Sequence, residues 1–344
     1  MSPIIINNPL DLPWQTNVFD ALMLSIFVSA VVNAVVQFRR GVRMYAFVLV
    51  SAFVYGVVLE LAGMATLNMY VQGKFVVMLN FPVVPLFAGT TAMPLYVTLF
   101  YPVIFSIGFK IVEALGITSR LKAAATGGLF MIALDAPYII EGNLRHIVWW
   151  TWRSDFVMFQ YWLGWPLVDM AWESLWGAAF YYLMLGARPH VDGLPEHGWS
   201  TGRAFAFHAP ARALGVLAIG VLLLAPLCIW TFVVGPQWPF MALLVVALLI
   251  VAVSALRVAQ PSSRRLDRVL LCWLAAYVAS FAAMIVANLV QEGHLTLYIA
   301  VQTLGLLGMT VFATFPLWTP RPAAATASGK STAPPDSERT LTQT

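Results

Sequence analysis

Nine stretches of mainly apolar residues run through the sequence, and they constrain its fold more than any other feature. A helix needs about 20 such residues to cross the hydrocarbon core of a bilayer. The stretches are residues 18–37, 45–64, 92–112, 123–140, 161–185, 211–233, 239–256, 269–290 and 296–317. Only 10% of the 344 residues are charged, against about 25% in soluble domains. The sequence therefore predicts an all-α integral membrane protein, a polytopic bundle of about nine transmembrane helices.

One further apolar stretch, residues 75–89, is shorter than the others and is either a tenth span or an irregular segment. It contains Pro82 and Pro85, which cannot donate the backbone hydrogen bonds of a regular helix. Irregular backbone is tolerated at membrane depth only where protein or water surrounds it. We therefore expect a re-entrant or surface-lying segment here.

The lysines and arginines predict the orientation of the chain. Cytoplasmic loops of membrane proteins carry an excess of basic residues. If the N-terminus is outside, all but Lys74, Arg145 and Arg153 of the 19 basic residues lie on the inner side. We therefore expect the C-terminus in the cytoplasm and a multi-pass protein of a bacterial plasma membrane. The inner loops account for the net charge of +4, so the expected partner of these charges is the lipid bilayer and not nucleic acid.

The chain divides into four segments by composition. Residues 1–185 form a five-helix membrane part, 186–210 a polar cytoplasmic loop, and 211–319 a four-helix membrane part. Residues 320–344 are rich in Pro, Ala, Ser and Thr and are expected to be disordered. The two membrane parts share no visible repeat, which weakens the hypothesis of a transporter built from duplicated halves.

Four carboxyl side chains lie within the predicted spans of the first part. They are Glu60, Asp135, Asp169 and Glu173. An ionisable residue in a membrane is costly to bury and is therefore a candidate for function. Asp169 lies roughly 13 Å into the fifth predicted helix, and Glu173 lies nearer the midplane. Because carboxyl groups without a nearby cation tend to stay protonated, these four are candidate catalytic proton donors.

Aromatic side chains accompany the acids. On the fifth predicted helix, Trp165, Trp172, Trp176 and Phe180 recur with the two acids at helical spacing. Indole faces stabilise a nearby cation, so these residues are candidates for lining a carbocation site. The complete set of candidate substrate-binding residues is Trp165, Trp172, Trp176, Phe180, Tyr138, Trp149, Trp150 and Trp152.

Both the aromatic residues and the acids also have a purely structural interpretation. The tryptophans could form an interfacial belt, and the acids could hydrogen-bond between helices. The loop segment with Trp149, Trp150 and Trp152 is either an aromatic anchor or a lid over a pocket.

Other polar residues in the spans are expected to join helices. Gly56 and Gly63 share one face of the second predicted helix with Glu60, and such small residues let another helix approach. Glu60 should therefore face protein. Lys110 and Glu113 are expected to form a local pair. Asn33, Asn288 and Gln302 are expected to make interhelical hydrogen bonds.

Residues 60 to about 185 resemble a family of membrane-bound carotenoid biosynthesis proteins that includes bisanhydrobacterioruberin hydratases. The similarity begins with an E-x-x-G-x-x-T…Y run. The matching residues are Glu60, Gly63, Thr66, Tyr70, Pro94, Leu95, Tyr101, Pro102, Asp135, Tyr161, Gly164, Pro166 and Trp172. The resemblance implies acid-catalysed hydration of an isoprenoid double bond without a redox cofactor. Residues 149–155 are also similar to a W-W-T-W signature of uncharacterised polytopic membrane proteins.

The leading functional prediction is a membrane enzyme that acts on an isoprenoid or carotenoid-like lipid by protonating a double bond, as a hydratase or a cyclase. It is expected to need neither a cofactor nor a metal. One alternative is a proton-coupled transporter or lipid-binding membrane protein that uses the same acids as a relay. The other is a structural scaffold whose acids only join helices.

Overall fold

Long helices dominate the computed structural model, which describes residues 2–84, 91–193, 200–261, 267–292 and 296–318. Nine helices within these ranges have 18 residues or more. They are α1 (Trp14–Arg39), α2 (Met44–Leu61), α3 (Leu95–Ala114), α4 (Arg120–Gly142), α5 (Leu167–Asp192), α6 (Ala209–Val233), α7 (Trp238–Leu256), α8 (Arg268–Glu292) and α9 (Thr296–Trp318). Eight are long and apolar enough to cross a membrane, and α5 is the exception. The chain is therefore an integral, multi-pass membrane protein.

Helix α5 differs in both bounds from the predicted span 161–185. Its first six predicted residues form a hairpin of β6 (Tyr161–Trp162) and β7 (Trp165–Pro166). The turn between these strands has positive φ at Leu163 and Gly164, and α5 begins after Pro166. Apolar composition does not distinguish such a hairpin from a helix. The helix continues to Asp192, so the predicted loop 186–210 is helical in its first seven residues.

Seven short strands gather at one end of the bundle, and we call them the strand cap. The other five are β1 (Ile4–Ile6), β2 (Tyr70–Gln72), β3 (Val77–Leu79), β4 (Met93–Pro94) and β5 (Trp150–Trp152). The order β1-β3-β4 forms one antiparallel sheet, and β2 pairs with β5. Residues 75–84 of the predicted surface-lying segment contribute β3 and a 3₁₀ turn to this cap. Residues 85–89 lie outside the described residues.

Polar contacts join the loops at the opposite end, which we call the basic end. Arg188 pairs with Glu113 at 2.5 Å, and Asp192 Oδ1 accepts hydrogen bonds from the backbone N–H groups of Arg43 and Met44. Lys110 forms an ion pair with Asp267. Lys110 and Glu113 therefore pair with other helices and loops, and not with each other as the sequence predicted.

Helices α3 and α4 form the interior of the bundle. Within its apolar segment, α3 is 94% buried inside the protein and α4 is 78% buried, whereas the segments containing α6 and α7 are each 22% buried. Helix α4 packs against α5, α9, α7 and α3. It approaches α5 closely at Gly128, where an added Cβ would lie 2.3 Å from the Ser174 carbonyl oxygen. Helices α7 and α9 thus pack on α4, whereas α6 packs on α5 and α2.

Candidate functional site

The four predicted acids line a single cavity. It lies between α2, α3, α4 and α5, beneath the strand cap. Its volume is about 120 Å³. Nine aromatic side chains line it with the acids. They are Tyr70, Tyr96, Phe100, Tyr101, Tyr138, Trp150, Trp152, Trp172 and Trp176. The cavity thus combines Glu60, Asp135, Asp169 and Glu173 with a largely aromatic wall.

The roof of the cavity is the ribbon formed by β2 and β5. Tyr70 is paired with Trp152 and Gln72 with Trp150. Because side chains alternate along a strand, these four project from the same face of the ribbon. All four line the cavity. The tryptophan-rich loop thus covers the acids, a position that suits both the lid and the anchor interpretation.

Five of the eight predicted aromatic residues line the cavity, and three support it from behind. Trp165 lies in β7 and donates its indole N–H to Asp169 Oδ2 at 2.8 Å. Trp149 is fully buried and donates to Thr16 Oγ1 at 3.0 Å. Phe180 stacks on Phe105, with ring centroids 4.0 Å apart. These three therefore hold the wall and do not line it.

Glu60 is held by two tyrosines. Tyr101 donates its hydroxyl to Glu60 Oε1 at 2.8 Å, and Tyr70 donates to Oε2. Gly56 and Gly63, one turn to either side of Glu60, make room for these rings. A Cβ at Gly56 would lie 2.4 Å from the Tyr101 ring, and one at Gly63 would lie 3.1 Å from the Tyr70 hydroxyl. The prediction that Glu60 faces protein is confirmed.

The protonation state of Tyr70 follows from its surroundings in β2. Burial raises the pKa of Tyr70 well above its ordinary value, and the neighbouring charge and hydrogen bond of Glu60 raise it further. Tyr70 therefore remains a hydroxyl at neutral pH and acts as the donor to Glu60.

Asp169 and Glu173 have different surroundings, although both are on α5. Asp169 lies in the first turn of the helix, about 3 Å along its axis, and not the roughly 13 Å predicted, because Trp165 and Pro166 belong to the hairpin. The helix N-terminus and the Trp165 indole both stabilise a carboxylate at Asp169. Glu173 lies one turn further and makes no hydrogen bond to the part of the chain that the structure describes. The ionised form of Asp169 is therefore better stabilised than that of Glu173.

Several polar atoms on the cavity-lining residues are buried and have no hydrogen-bond partner among the described residues. They are Gln72 Oε1, both carboxyl oxygens of Asp135, and the indole nitrogens of Trp150, Trp152, Trp172 and Trp176. Buried polar groups in folded proteins nearly always have partners in protein, water or ligand. These atoms give the aromatic wall a capacity to bind a polar group or water.

Sequence reasoning selected Tyr138 as a site residue but not the other cavity-lining polar side chains, which are Tyr70, Tyr96, Tyr101 and Gln72. Tyr96 and Tyr138 approach within 3.1 Å through their hydroxyls, and Tyr101 reaches Glu60 across 41 residues of sequence. Helical spacing reports only neighbours on one helix, so it does not detect such contacts. The available signal was the order of Glu60, Tyr70 and Tyr101 in the resemblance to the carotenoid family.

Comparison with known proteins adds no assignment, since no protein-family model, no curated protein and no solved structure matches the chain significantly. The resemblance to carotenoid biosynthesis proteins therefore stays a prediction. A function for this chain must be argued from the chemistry of its own site.

Proposed function

We propose that the chain is a membrane enzyme that protonates a carbon–carbon double bond of an isoprenoid or carotenoid-like lipid. The observation that carries this proposal is the joint lining of one cavity by four carboxyl groups and nine aromatic rings. Such a cavity supplies both an acid and a wall that stabilises positive charge. Its carboxyl groups would repel a diphosphate, which favours an uncharged lipid as the substrate.

Glu173 is the preferred proton donor, because neither a helix terminus nor a hydrogen bond from the described residues stabilises its carboxylate. Its proton adds to one carbon of the double bond, whose π electrons form the new C–H bond. The other carbon is left with the positive charge, next to the stacked indoles of Trp172 and Trp176, whose centroids are 5.5 Å apart. A cation over an indole face is stabilised by roughly 0.5–2 kcal/mol.

Asp169 is the preferred proton acceptor for the second half of the reaction. In a hydratase, the oxygen of a water molecule attacks the cation and Asp169 accepts the proton that the water releases. Return of this proton to Glu173 restores the site, and the net change is the addition of one water. In a cyclase, a second double bond of the same lipid attacks the cation, and loss of a proton to a carboxylate yields an isomer. Glu60 and Asp135 complete the acid cluster.

We further propose that the strand cap faces the outside of a bacterial plasma membrane and that the basic end faces the cytoplasm. The excess of lysine and arginine at the basic end supports this orientation. In a variant with Cys228 and Cys272 replaced by serine, an impermeant thiol reagent applied to intact cells should label His146→Cys but not Lys122→Cys. Labelling of the second position alone would reverse the orientation.

The catalytic proposal is tested by lipid extracts of cells with and without the protein, followed by mass spectrometry. We expect an isoprenoid that differs by one water or by ring closure. Glu173→Gln removes the proton donor and Asp169→Asn removes the proton acceptor, while both preserve shape, so each variant should fold normally and lose about 10²–10⁴-fold in turnover. The matched control is Asp155→Asn, an exposed carboxyl in the outer loop. Normal turnover in both amide variants would reject the catalytic role.

The two alternative functions give different results in the same experiment. A proton-coupled transporter or lipid-binding protein that uses these acids changes the location or retention of a lipid and not its mass. A scaffold changes neither, and its amide variants should be nearly neutral because they keep most hydrogen bonds.

A further inference from the structure

A second buried polar cluster joins α4, α8 and α9. It consists of Glu141, Asn288 and Gln302, which have relative exposures of 0%, 1% and 0%, and we call it the Glu141 cluster. Glu141 Oε2 accepts a hydrogen bond from Asn288 Nδ2 at 2.8 Å and another from Gln302 Nε2 at 2.9 Å. The predicted interhelical roles of Asn288 and Gln302 are thus confirmed. Their partner is an acid that the proposed reaction does not use.

The Glu141 cluster lies on a different face of α4 from the catalytic cavity. Asp135 and Tyr138 line the cavity, whereas Pro137 and Glu141, one turn apart, face α9. Gln302 also donates to the Pro137 carbonyl oxygen at 3.4 Å. Gly305 brings α9 close to the same region, since an added Cβ there would lie 2.8 Å from the Ala133 carbonyl oxygen. The cluster is therefore a separate site, built where a proline interrupts the backbone hydrogen bonds of α4.

The cluster contains more acceptor oxygens than its donors satisfy. Glu141 Oε1, Asn288 Oδ1 and Gln302 Oε1 are buried and have no hydrogen-bond partner among the described residues. An ionised carboxylate in such a place is costly unless a positive charge accompanies it. Carboxylate, amide and backbone carbonyl oxygens are hard ligands that suit hard cations. In membrane proteins, such groups beside an interrupted helix can hold a sodium ion or a proton.

We propose that the Glu141 cluster binds a monovalent cation, either a sodium ion or a proton, that neutralises Glu141 and fastens α8 and α9 to α4. Rotation of either amide by 180° exchanges its nitrogen and oxygen and presents the oxygen to the cation. The titratable groups near the cluster are His146, which interacts electrostatically with Glu141, and Tyr298, one turn before Gln302 on α9. This inference does not depend on the proposed enzymatic function.

The test measures the thermal unfolding midpoint of the full-length protein in detergent by tryptophan fluorescence. Sodium chloride is compared with choline chloride at equal ionic strength. If sodium is the ligand, it should raise the midpoint of the wild type by at least ~2 °C in a saturable manner. Glu141→Gln should abolish the shift, and Gln302→Ala should raise the half-saturating sodium concentration by about tenfold. The control Asp155→Asn should respond as the wild type does.

If the ligand is a proton, sodium has no effect and pH does. A carboxyl group that stays protonated in the folded state ionises in the unfolded chain above about pH 4.3, so the wild-type midpoint should fall as pH rises above that value. Glu141→Gln, in a His146→Asn background that removes the nearby imidazole, should not show this fall. The proposal is overturned if sodium has no effect and the pH dependence is the same with and without Glu141. If Glu141→Gln fails to fold, Gln302→Ala is compared with the wild type instead. The proposal is overturned if the unfolding midpoints of these two proteins respond alike to sodium and to pH.

Discussion

Helices α3 and α6 are both long and apolar, yet the protein uses them in opposite ways. The apolar segment of α3 is 94% buried inside the protein, whereas the apolar segment that contains α6 is only 22% buried. Helix α3 carries Tyr96, Tyr101 and Lys110, which make polar contacts with other helices. Helix α6 presents Leu222 at 72% exposure to the surrounding solvent or lipid. In a bilayer, apolar residues need not be hidden, so polar and aromatic side chains indicate the interior better than hydropathy does.

The same contrast separates the two membrane parts of the chain. Helices α2–α5 and the strand cap supply the cavity and its acids, and α6–α9 mostly surround them. The outer helices still contact the cavity wall and α4 at particular points. Gly220 on α6 lies directly against the Trp176 indole, and α8 and α9 reach α4 through the Glu141 cluster. The comparison therefore predicts large mutational effects at buried contacts and at these points, and small effects elsewhere on α6–α9.

The largest expected difference is between a buried ring and an exposed leucine. Phe180→Ala removes a fully buried ring stacked on Phe105 and should lower the free energy of unfolding by about 3–5 kcal/mol. Leu222→Ala, at a position with 72% exposure, should change it by less than about 0.5 kcal/mol. Unfolding by denaturant in detergent micelles measures both values. Equal losses of unfolding free energy would show that the exposed face of α6 is covered in the folded protein. They would contradict the contrast between the buried α3 and the exposed α6.

Two glycines of α6 give the next test. A Cβ at Gly220 would lie 1.1 Å from the Trp176 ring, whereas one at Gly215 would lie 3.4 Å from Leu183, an ordinary contact. Gly220→Ala should therefore destabilise the protein by about 1–3 kcal/mol through overpacking. Gly215→Ala should be neutral or stabilising by up to about 1 kcal/mol, because alanine favours the helix. If Gly220→Ala were as stable as Gly215→Ala, α6 would not pack on the cavity wall.

Sequence reasoning identified the membrane class and the approximate positions of the long helices because both follow from local composition. It also selected four acids that line one cavity, because a carboxyl group inside an apolar run is conspicuous in sequence. It placed Trp165 on α5 in error, because the residues of the β6–β7 hairpin are as apolar as those of a helix. Proline and glycine at Pro166 and Gly164 were the available sign of that boundary.

Contacts between distant residues account for what the sequence did not predict. The donors to Glu60 lie 10 and 41 residues away, and the partners of Glu141 lie 147 and 161 residues away. Helical periodicity assigns a residue to a face but does not identify the helix that covers that face. Lys110 illustrates this limit, since its local partner Glu113 was the expected one and Asp267 is the observed one.

A third prediction concerns the hydrogen bonds that hold Glu60. Tyr101→Phe removes the hydroxyl that donates to Glu60 Oε1 and leaves a buried acceptor unpaired, which should cost about 1–3 kcal/mol of stability. Tyr161→Phe is the matched control, because the Tyr161 side chain is exposed and donates only to a loop carbonyl at 3.2 Å. Its effect should be within about 0.5 kcal/mol. A neutral Tyr101→Phe would mean that Glu60 finds another donor in the cavity.

The smallest predicted effect is at the basic end, where the Lys110–Asp267 ion pair joins α3 to the start of α8. Burial raises the pKa of Asp267, but the hydrogen bond and charge of Lys110 and the backbone hydrogen bonds of Val269 and Leu270 together outweigh it, so that the pKa of Asp267 lies below its ordinary value. A carboxyl group with a lowered folded-state pKa stabilises the protein above its unfolded-state pKa. That contribution is lost as pH falls through the folded-state value.

Replacing Asp267 with asparagine should remove this contribution, which we expect to lie below about 1 kcal/mol because solvent screens the partly exposed Asp267 carboxylate. The Asp267 side chain is 40% exposed. In the variant, the Lys110 ammonium group still lies 4.3 Å from the Tyr45 ring, which further limits the loss of stability.

The measurement is the unfolding midpoint of wild type and Asp267→Asn from about pH 7 down to pH 3, with Asp155→Asn as the control. The two curves should differ at neutral pH and converge in acid. A constant difference at all pH values would mean that Asp267 acts as an uncharged helix cap for α8, through its hydrogen bond from the Val269 N–H at 2.9 Å, and that no electrostatic link joins the two parts there.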